Sequence, residues 1–377
     1  MTKRVSQPAF AVAAALVGAL SMGAAACSTS DDDAGGSGGT SAAGAGGGGG
    51  GGASTVGGGG GVGGQGQAGA GGGGEDERLT WSPSSAGVGD YTSYPKVAIV
   101  PGTRAYDGDG GDLWLELPSS SRWEAGPDGG LVIQDARNVA LIGGEIYLPD
   151  TIPFEETPRR SIYFVGITGT VFVEGLHVHG PGCGDIFTIN SDAATFYFQN
   201  IRAEISRADE PSDPVHADLI QPWGGHAGVH IDKFTGLTTY QGFQIRRDLA
   251  DVGPVYLRRT NLGNHPDGGS TANYLLWMGE LMDPVHVDGD TFWLAPAPDR
   301  SDPKLIHSIW PEPCELASDS LGNYATCPDL RNGADDLVLQ DWDGGALGKV
   351  REGAPGTGDY VPATSVGVGY VSPGYLE

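Results

Sequence analysis

Basic residues are the first shortage: 21 lysines and arginines stand against 47 aspartates and glutamates, a formal net charge of −26 over 377 residues. A surface so acidic repels nucleic acid and anionic membranes, so neither is an expected partner. Cysteine is also scarce. Cys27, Cys183, Cys314 and Cys327 are the complete set, and no C-x-x-C metal spacing occurs. Helical periodicity is nearly absent beyond Gly74, and the Gly-rich antiparallel hairpin turns of a β-sandwich or propeller are scarce. The one long apolar run lies at the start, from Ala9 to Leu20.

That run follows Lys3 and Arg4 and ends in the small residues Ala24-Ala25-Ala26, directly before Cys27. It is too short to span a bilayer comfortably and reads as a signal peptide over residues 1–26. The segment resembles a bacterial lipobox, which implies that Cys27 is lipidated and becomes the mature N-terminus. Ala24 stands where a lipobox usually carries Leu or Val. The alternative is ordinary cleavage that releases a secreted protein. The expected location is the cell surface or outer membrane, with membrane contact only through the lipid anchor.

Residues 27–74 are almost entirely Gly, Ala and Ser after the short acidic patch Asp31-Asp32-Asp33. They offer too little apolar surface to offset ordering entropy, and a flexible tether is expected. Its reach would be roughly 35–40 Å for about forty residues.

The remainder is enough for one elongated domain. Short alternating apolar runs recur there, each followed by Gly, Asn or Asp. They are Asn138–Ile146, Gly169–Val178, Ala194–Ile201, Gly228–Gly236, Gly253–Leu262 and Pro284–Thr291. Overlaying them aligns Leu141, Val173, Phe198, Ile231, Leu257 and Val287, a loose repeat in the range of solenoid proteins. Period-two β-branched and aromatic residues make each unit a strand. A second strand precedes most of them, in Asp185–Asn190, His216–Gln221, Gly242–Arg247 and Asn273–Met278.

With this rhythm, and with the segment His216-Ala217-Asp218-Leu219-Ile220-Gln221, the chain resembles exported β-helix proteins of the pectate-lyase-like superfamily. The resemblance implies an all-β, single-stranded right-handed parallel β-helix over residues 113–295. Residues 75–112 and 296–377 would then form irregular N- and C-terminal caps. The arrangement is expected to be monomeric.

Alternation sends His230 and Asp232, Tyr256 and Arg258, and His286 and Asp288 to an outer face, where Asp232, Arg258 and Asp288 read most simply as an exposed charge ladder. A richer file follows from aligning Ile189, Ile220, Ile245 and Leu276. That alignment brings Asn190, Gln221, Arg246 and Trp277 together, with His216, Asp218, Trp223, His226, Lys233 and Arg247 around them. Indole rings stack on sugar faces while amides, guanidinium groups and carboxylates bind hydroxyls, so the expected partner is a polysaccharide.

The superfamily resemblance implies β-elimination of an acidic polysaccharide as one activity. Arg246 or Arg247 would then be the base, or His216 with its tautomer fixed by Asp218. Asp185 and Asp218 would hold a calcium ion. The paired aspartates and Gly-His-Gly of the polygalacturonase branch are missing, as is the Arg-x-Pro-x-x-Arg of the pectate lyase branch. A non-catalytic surface module that binds polysaccharide is the alternative. Cys314 and Cys327 are the natural disulfide pair, Cys183 reads as a buried free thiol, and His177 and His179 read as plain surface residues for want of a third ligand.

Overall fold

The computed structural model describes residues 77–152, 159–206, 217–245, 250–266, 274–278, 284–296, 305–310, 314–328 and 337–376. All of them belong to one compact unit, Gly72–Glu377; the other unit, Met1–Gly71, with the expected signal peptide, Cys27 and most of the tether, lies outside the described residues.

The described chain is nearly all β, a 23-stranded and largely parallel sheet with three short 3-10 turns. Its parallel pairs sort into three ladders. The first takes β1 (Lys96–Ala98), β3 (Leu113–Glu116), β6 (Val139–Ile142), β9 (Thr170–Glu174), β11 (Phe187–Glu204), β13 (His226–Thr238), β15 (Val255–Asn264), β17 (Val285–Val287) and β22 (Leu339–Asp341).

The second ladder takes β4 (Trp123–Glu124), β7 (Glu145–Tyr147), β10 (His177–His179), the later parts of β11, β13 and β15, then β18 (Phe292–Ala295) and β23 (Val350–Glu352). The third takes β2 (Ala105–Asp107), β5 (Leu131–Gln134), β8 (Ile162–Val165), the start of β11, β12 (Asp218–Gln221), β14 (Gln241–Ile245), β16 (Leu276–Met278) and β19 (Ile309–Trp310). This pattern is compatible with a β-helix.

In the first ladder the expected alignment holds residue for residue. Leu141, Val173, Phe198, Ile231, Leu257 and Val287 are successive partners, and all are buried. Phe164, Phe187, Phe196, Phe198, Phe234, Phe243 and Phe292 fill the same interior. Each such ring stabilises the fold by about 1.5–3 kcal/mol through loss of apolar surface to water. Cys183 lies in this interior as a free thiol, and burial pushes its pKa up to about 12.

The chain bends sharply from the first ladder into the second. Gly143, Gly175, Asn200, Lys233, Arg259 and Gly289 occupy the bend, with φ of 66°, 71°, 52°, 54°, 40° and 53°. Glycine takes this left-handed conformation freely, whereas a residue with a Cβ loses about 1–2 kcal/mol. At the two long side chains that strain is met by contacts. Lys233 Nζ donates to Glu77 Oε2 at 2.5 Å and to the Glu77 carbonyl at 2.8 Å. Arg259 Nε donates to Asp232 Oδ1 at 2.7 Å.

Two differences from the sequence reading stand out. The ladders run from Lys96 to Glu352, wider than 113–295. The parallel strands beyond Pro296 have two or three residues each, too few for alternation to register. The second difference concerns the charge ladder: Asp232 is buried. Thr80 donates to its Oδ2 from N and Oγ1, both at 2.8 Å, and Arg259 grips it from below. Arg258 pairs instead with Asp288, at 2.7 Å.

Cys314 and Cys327 are joined by a disulfide at the base of an antiparallel hairpin, β20 (Glu315–Asp319) with β21 (Gly322–Thr326). The hairpin pairs antiparallel with β23.

Candidate functional site

The outer face of the third ladder is built by alternation. In β8, Ile162 and Phe164 point inward, so Tyr163 points outward. Its partner in β11 is Thr188, whose partner in β12 is Gln221. Gln221 Nε2 donates to Gln244 Oε1 at 3.2 Å, and Gln244 pairs with Trp277, which pairs with Trp310. At about 4.8 Å per strand this file spans roughly 24 Å. Aromatic rings stand at both ends and amides lie between. Tyr274 packs on both indoles, with ring centroids 5.3 Å from Trp277 and 5.6 Å from Trp310. At the other end Trp223 is exposed, and the Arg160 guanidinium lies 5.4 Å from its ring and 4.8 Å from that of Tyr163.

An acid pair lies beneath this file. Asp185 and Asp218 are buried, and the Asp218 N–H donates to Asp185 Oδ1 at 3.3 Å. Thr188 Oγ1 donates to Asp185 Oδ2 at 3.3 Å, and Arg160 Nε stands 3.7 Å from the same oxygen. A guanidinium therefore supplies positive charge where a calcium ion was expected. Calcium takes six to eight oxygen ligands, and two interior carboxylates beside an arginine are a sparse beginning for such a shell.

The other expected residues divide by place. Trp277, Gln221 and Trp223 belong to the file or its edge. Asn190 sits nearby, its Nδ2 3.4 Å from the Tyr163 hydroxyl. Gly224 packs on it so closely that a Cβ there would lie 2.0 Å from the Asn190 Oδ1. His216, Arg246 and Arg247 lie outside the described residues. Lys233 is at the bend and turned to Glu77, away from the file. His226 is interior, beside Ile220, Val229, Ile231 and Phe243. Burial, with His230 nearby, lowers its pKa to about 4.

The expected alignment of Ile189, Ile220, Ile245 and Leu276 shifts by two residues at alternate strands. Phe187, Ile220, Phe243 and Leu276 are the actual partners. A one-residue slip exchanges inner and outer faces, but a two-residue slip leaves sidedness intact, so alternation alone could not detect it. As a result the neighbours of Gln221 are Thr188 and Gln244. Tyr163, Gln244, Tyr274 and Trp310 escaped the sequence reading. Tyr163 had a legible signal in the alternation of Ser161-Ile162-Tyr163-Phe164-Val165; Trp310, in a two-residue strand, had none.

The outer face of the first ladder carries aromatic groups as well. Tyr197, His230, Tyr256 and His286 are register partners. Their rings stack at 4.5, 4.8 and 4.5 Å, within 11° of parallel. Trp81 covers Tyr197 and His230, and Trp342 covers Tyr256. Burial lowers the His230 pKa to about 4. This stack is filled by its own side chains.

No family model, curated protein or solved structure matches this chain. Any assignment of activity therefore rests on the groups themselves and on what their placement allows.

Proposed function

We propose that the protein is an exported, surface-anchored parallel β-helix that engages polysaccharide along the outer face of its third ladder. The observation that carries this reading is the file from Tyr163 through Gln221 and Gln244 to Trp277 and Trp310. Rings at both ends present flat apolar faces for sugar rings. Between them the half-buried Gln221 offers an amide to sugar hydroxyl groups, while the buried Gln244 and Arg160 hold their neighbours in place. A file of roughly 24 Å accommodates several sugar units in an extended chain. The N-terminal features, Lys3 and Arg4, the apolar run to Leu20, and Cys27 after three alanines, support export and lipid anchoring, with residues 27–74 as the spacer.

A lyase reading is favoured by one further observation. The buried Asp185–Asp218 pair with Arg160 lies directly below the file, at the entry to β12. Charged groups held beneath a binding face are characteristic of catalytic sites. His216 precedes this strand and Arg246 follows β14, so either would serve as the base in β-elimination next to a uronate carboxylate.

Two measurements separate these readings. Retention on immobilised acidic and neutral polysaccharides should fall on Trp277→Ala and Trp310→Ala; unchanged retention in the double variant would remove the binding face. Release of unsaturated products from pectate, alginate and glycosaminoglycans, with and without calcium, reports on elimination. Silence across that panel by a protein that still binds leaves the non-catalytic module.

A further inference from the structure

On the second ladder, β10 follows the same alternation as its neighbours. Val178 is buried, so His177 and His179 share the outer face, and their rings stack at 4.3 Å and 16°. The neighbouring strand β7 pairs with β10 in register, His177 beside Glu145 and His179 beside Tyr147. That register delivers a third donor that spacing along the chain could not reveal. His179 Nε2 lies 2.9 Å from Glu145 Oε1. One ring nitrogen from each histidine and one oxygen of Glu145 all lie within 4.8 Å of one another.

We propose that Glu145, His177 and His179 bind a divalent transition-metal ion of the zinc class. Two imidazoles and one carboxylate form a ligand set that suits zinc and its neighbours, whereas calcium and magnesium prefer all-oxygen shells. Bonds of about 2.0–2.2 Å place tetrahedral donors roughly 3.3 Å apart. The three groups reach that spacing by small side-chain rotations, because all are only half-buried and stand on rigid, hydrogen-bonded strands.

Groups around the triad are arranged as a supporting shell. Glu204 Oε2 lies 3.4 Å from His177 Nε2, and Arg202 Nε holds Glu204 Oε1 at 2.6 Å. Tyr147, edge-on to the His179 ring at 5.2 Å, limits how far that ring turns. Carboxylates and aromatic contacts of this kind orient metal-ligating histidines. A cleft of about 260 Å³, lined by Tyr147, His179, Pro181, Glu204 and His265, opens beside the triad. Three protein donors next to such a cleft leave one coordination position for water or an incoming ligand.

The test uses the full purified chain after treatment with a chelator. Titration with zinc chloride should show one stoichiometric site and a rise in melting temperature, with calcium and magnesium chloride giving neither. Binding should weaken by at least tenfold in the His177→Gln/His179→Gln double variant and in Glu145→Gln, and it should fall as pH drops below about 6, where protons compete for imidazole. Cobalt chloride supplies a second readout, visible d–d bands that disappear in the double variant. A wild-type chain with no stoichiometric zinc site overturns the proposal. So does a double variant with a native circular dichroism spectrum that binds zinc as tightly as the wild type, because the ion would then sit on other histidines.

Discussion

The outer faces of the first and third ladders are built by the same rule and end in opposite conditions. Both carry a file of aromatic and polar side chains sent outward by alternation. On the first ladder Tyr197, His230, Tyr256 and His286 stack on one another and are roofed by Trp81 and Trp342. Glu174, Gln199 and Asp232 beside them hold the segments that flank the ladders: Tyr370 and Tyr375 donate to Glu174 at 2.8 and 2.7 Å, and Trp81 N donates to Gln199 at 2.9 Å. On the third ladder Trp223, Trp277 and Trp310 keep accessible surface, while Thr188 and Gln244 between them are buried. An outward direction is thus necessary for binding but does not suffice. Whether another part of the chain occupies the face decides the matter.

The largest expected effect breaks the covered face. Asp232→Ala leaves the Arg259 guanidinium buried without its carboxylate and releases Thr80, and should destabilise the protein by about 3–5 kcal/mol in chemical denaturation. A loss below about 1 kcal/mol would mean that the segment around Thr80 is only loosely held.

Reduction of Cys314–Cys327 should cost about 2–3 kcal/mol for a loop of sequence separation 13, seen as a lower melting temperature with reductant. The file on the third ladder should keep its ligand retention under the same conditions.

Acid should also discriminate between the faces. His226 and His230 have folded pKa values near 4, below the ordinary 6.5, because burial disfavours their charged forms. Unfolded chain therefore binds more protons between these values, and stability present above pH 6.5 is lost as pH falls toward 4. A shift of that size corresponds to roughly 3 kcal/mol for each ring. Denaturation midpoints measured across pH 7 to 4 should decline accordingly, and the decline should shrink in His230→Phe.

The smallest effect on stability belongs to the open face. Trp223→Ala should change unfolding free energy by no more than about 0.5 kcal/mol, as exposed positions do, yet should weaken polysaccharide retention several-fold. Equal retention would confine the contact to Trp277 and Trp310.

Sequence made the repeat legible because one large inward residue per strand marks it: Leu141 through Val287 are register partners as spacing implied. It could not reveal the two-residue offset at Phe187 and Phe243, since alternation is indifferent to an even slip. Nor could it place Lys233, which has the composition of a ligand-binding residue but serves a left-handed bend tied to Glu77. Glu145 lies 34 positions from His179 in the chain, so their contact exists only through strand pairing. Composition identifies which groups are available; register decides which of them meet.

The hairpin of β20 and β21 has a consequence for how the second ladder ends. A stack of parallel strands is a template at its open end, where the last strand would accept another chain in the same sense and begin a fibre. On the second ladder the strand laid against β23 runs the opposite way. Its sense does not match that of an incoming parallel strand, and charged Glu315 and Asp319 stand on the hairpin strand beyond it. The Cys314–Cys327 link keeps this hairpin closed even when local unfolding loosens neighbouring turns. The reversed strand thereby closes the second ladder at β23 to parallel extension.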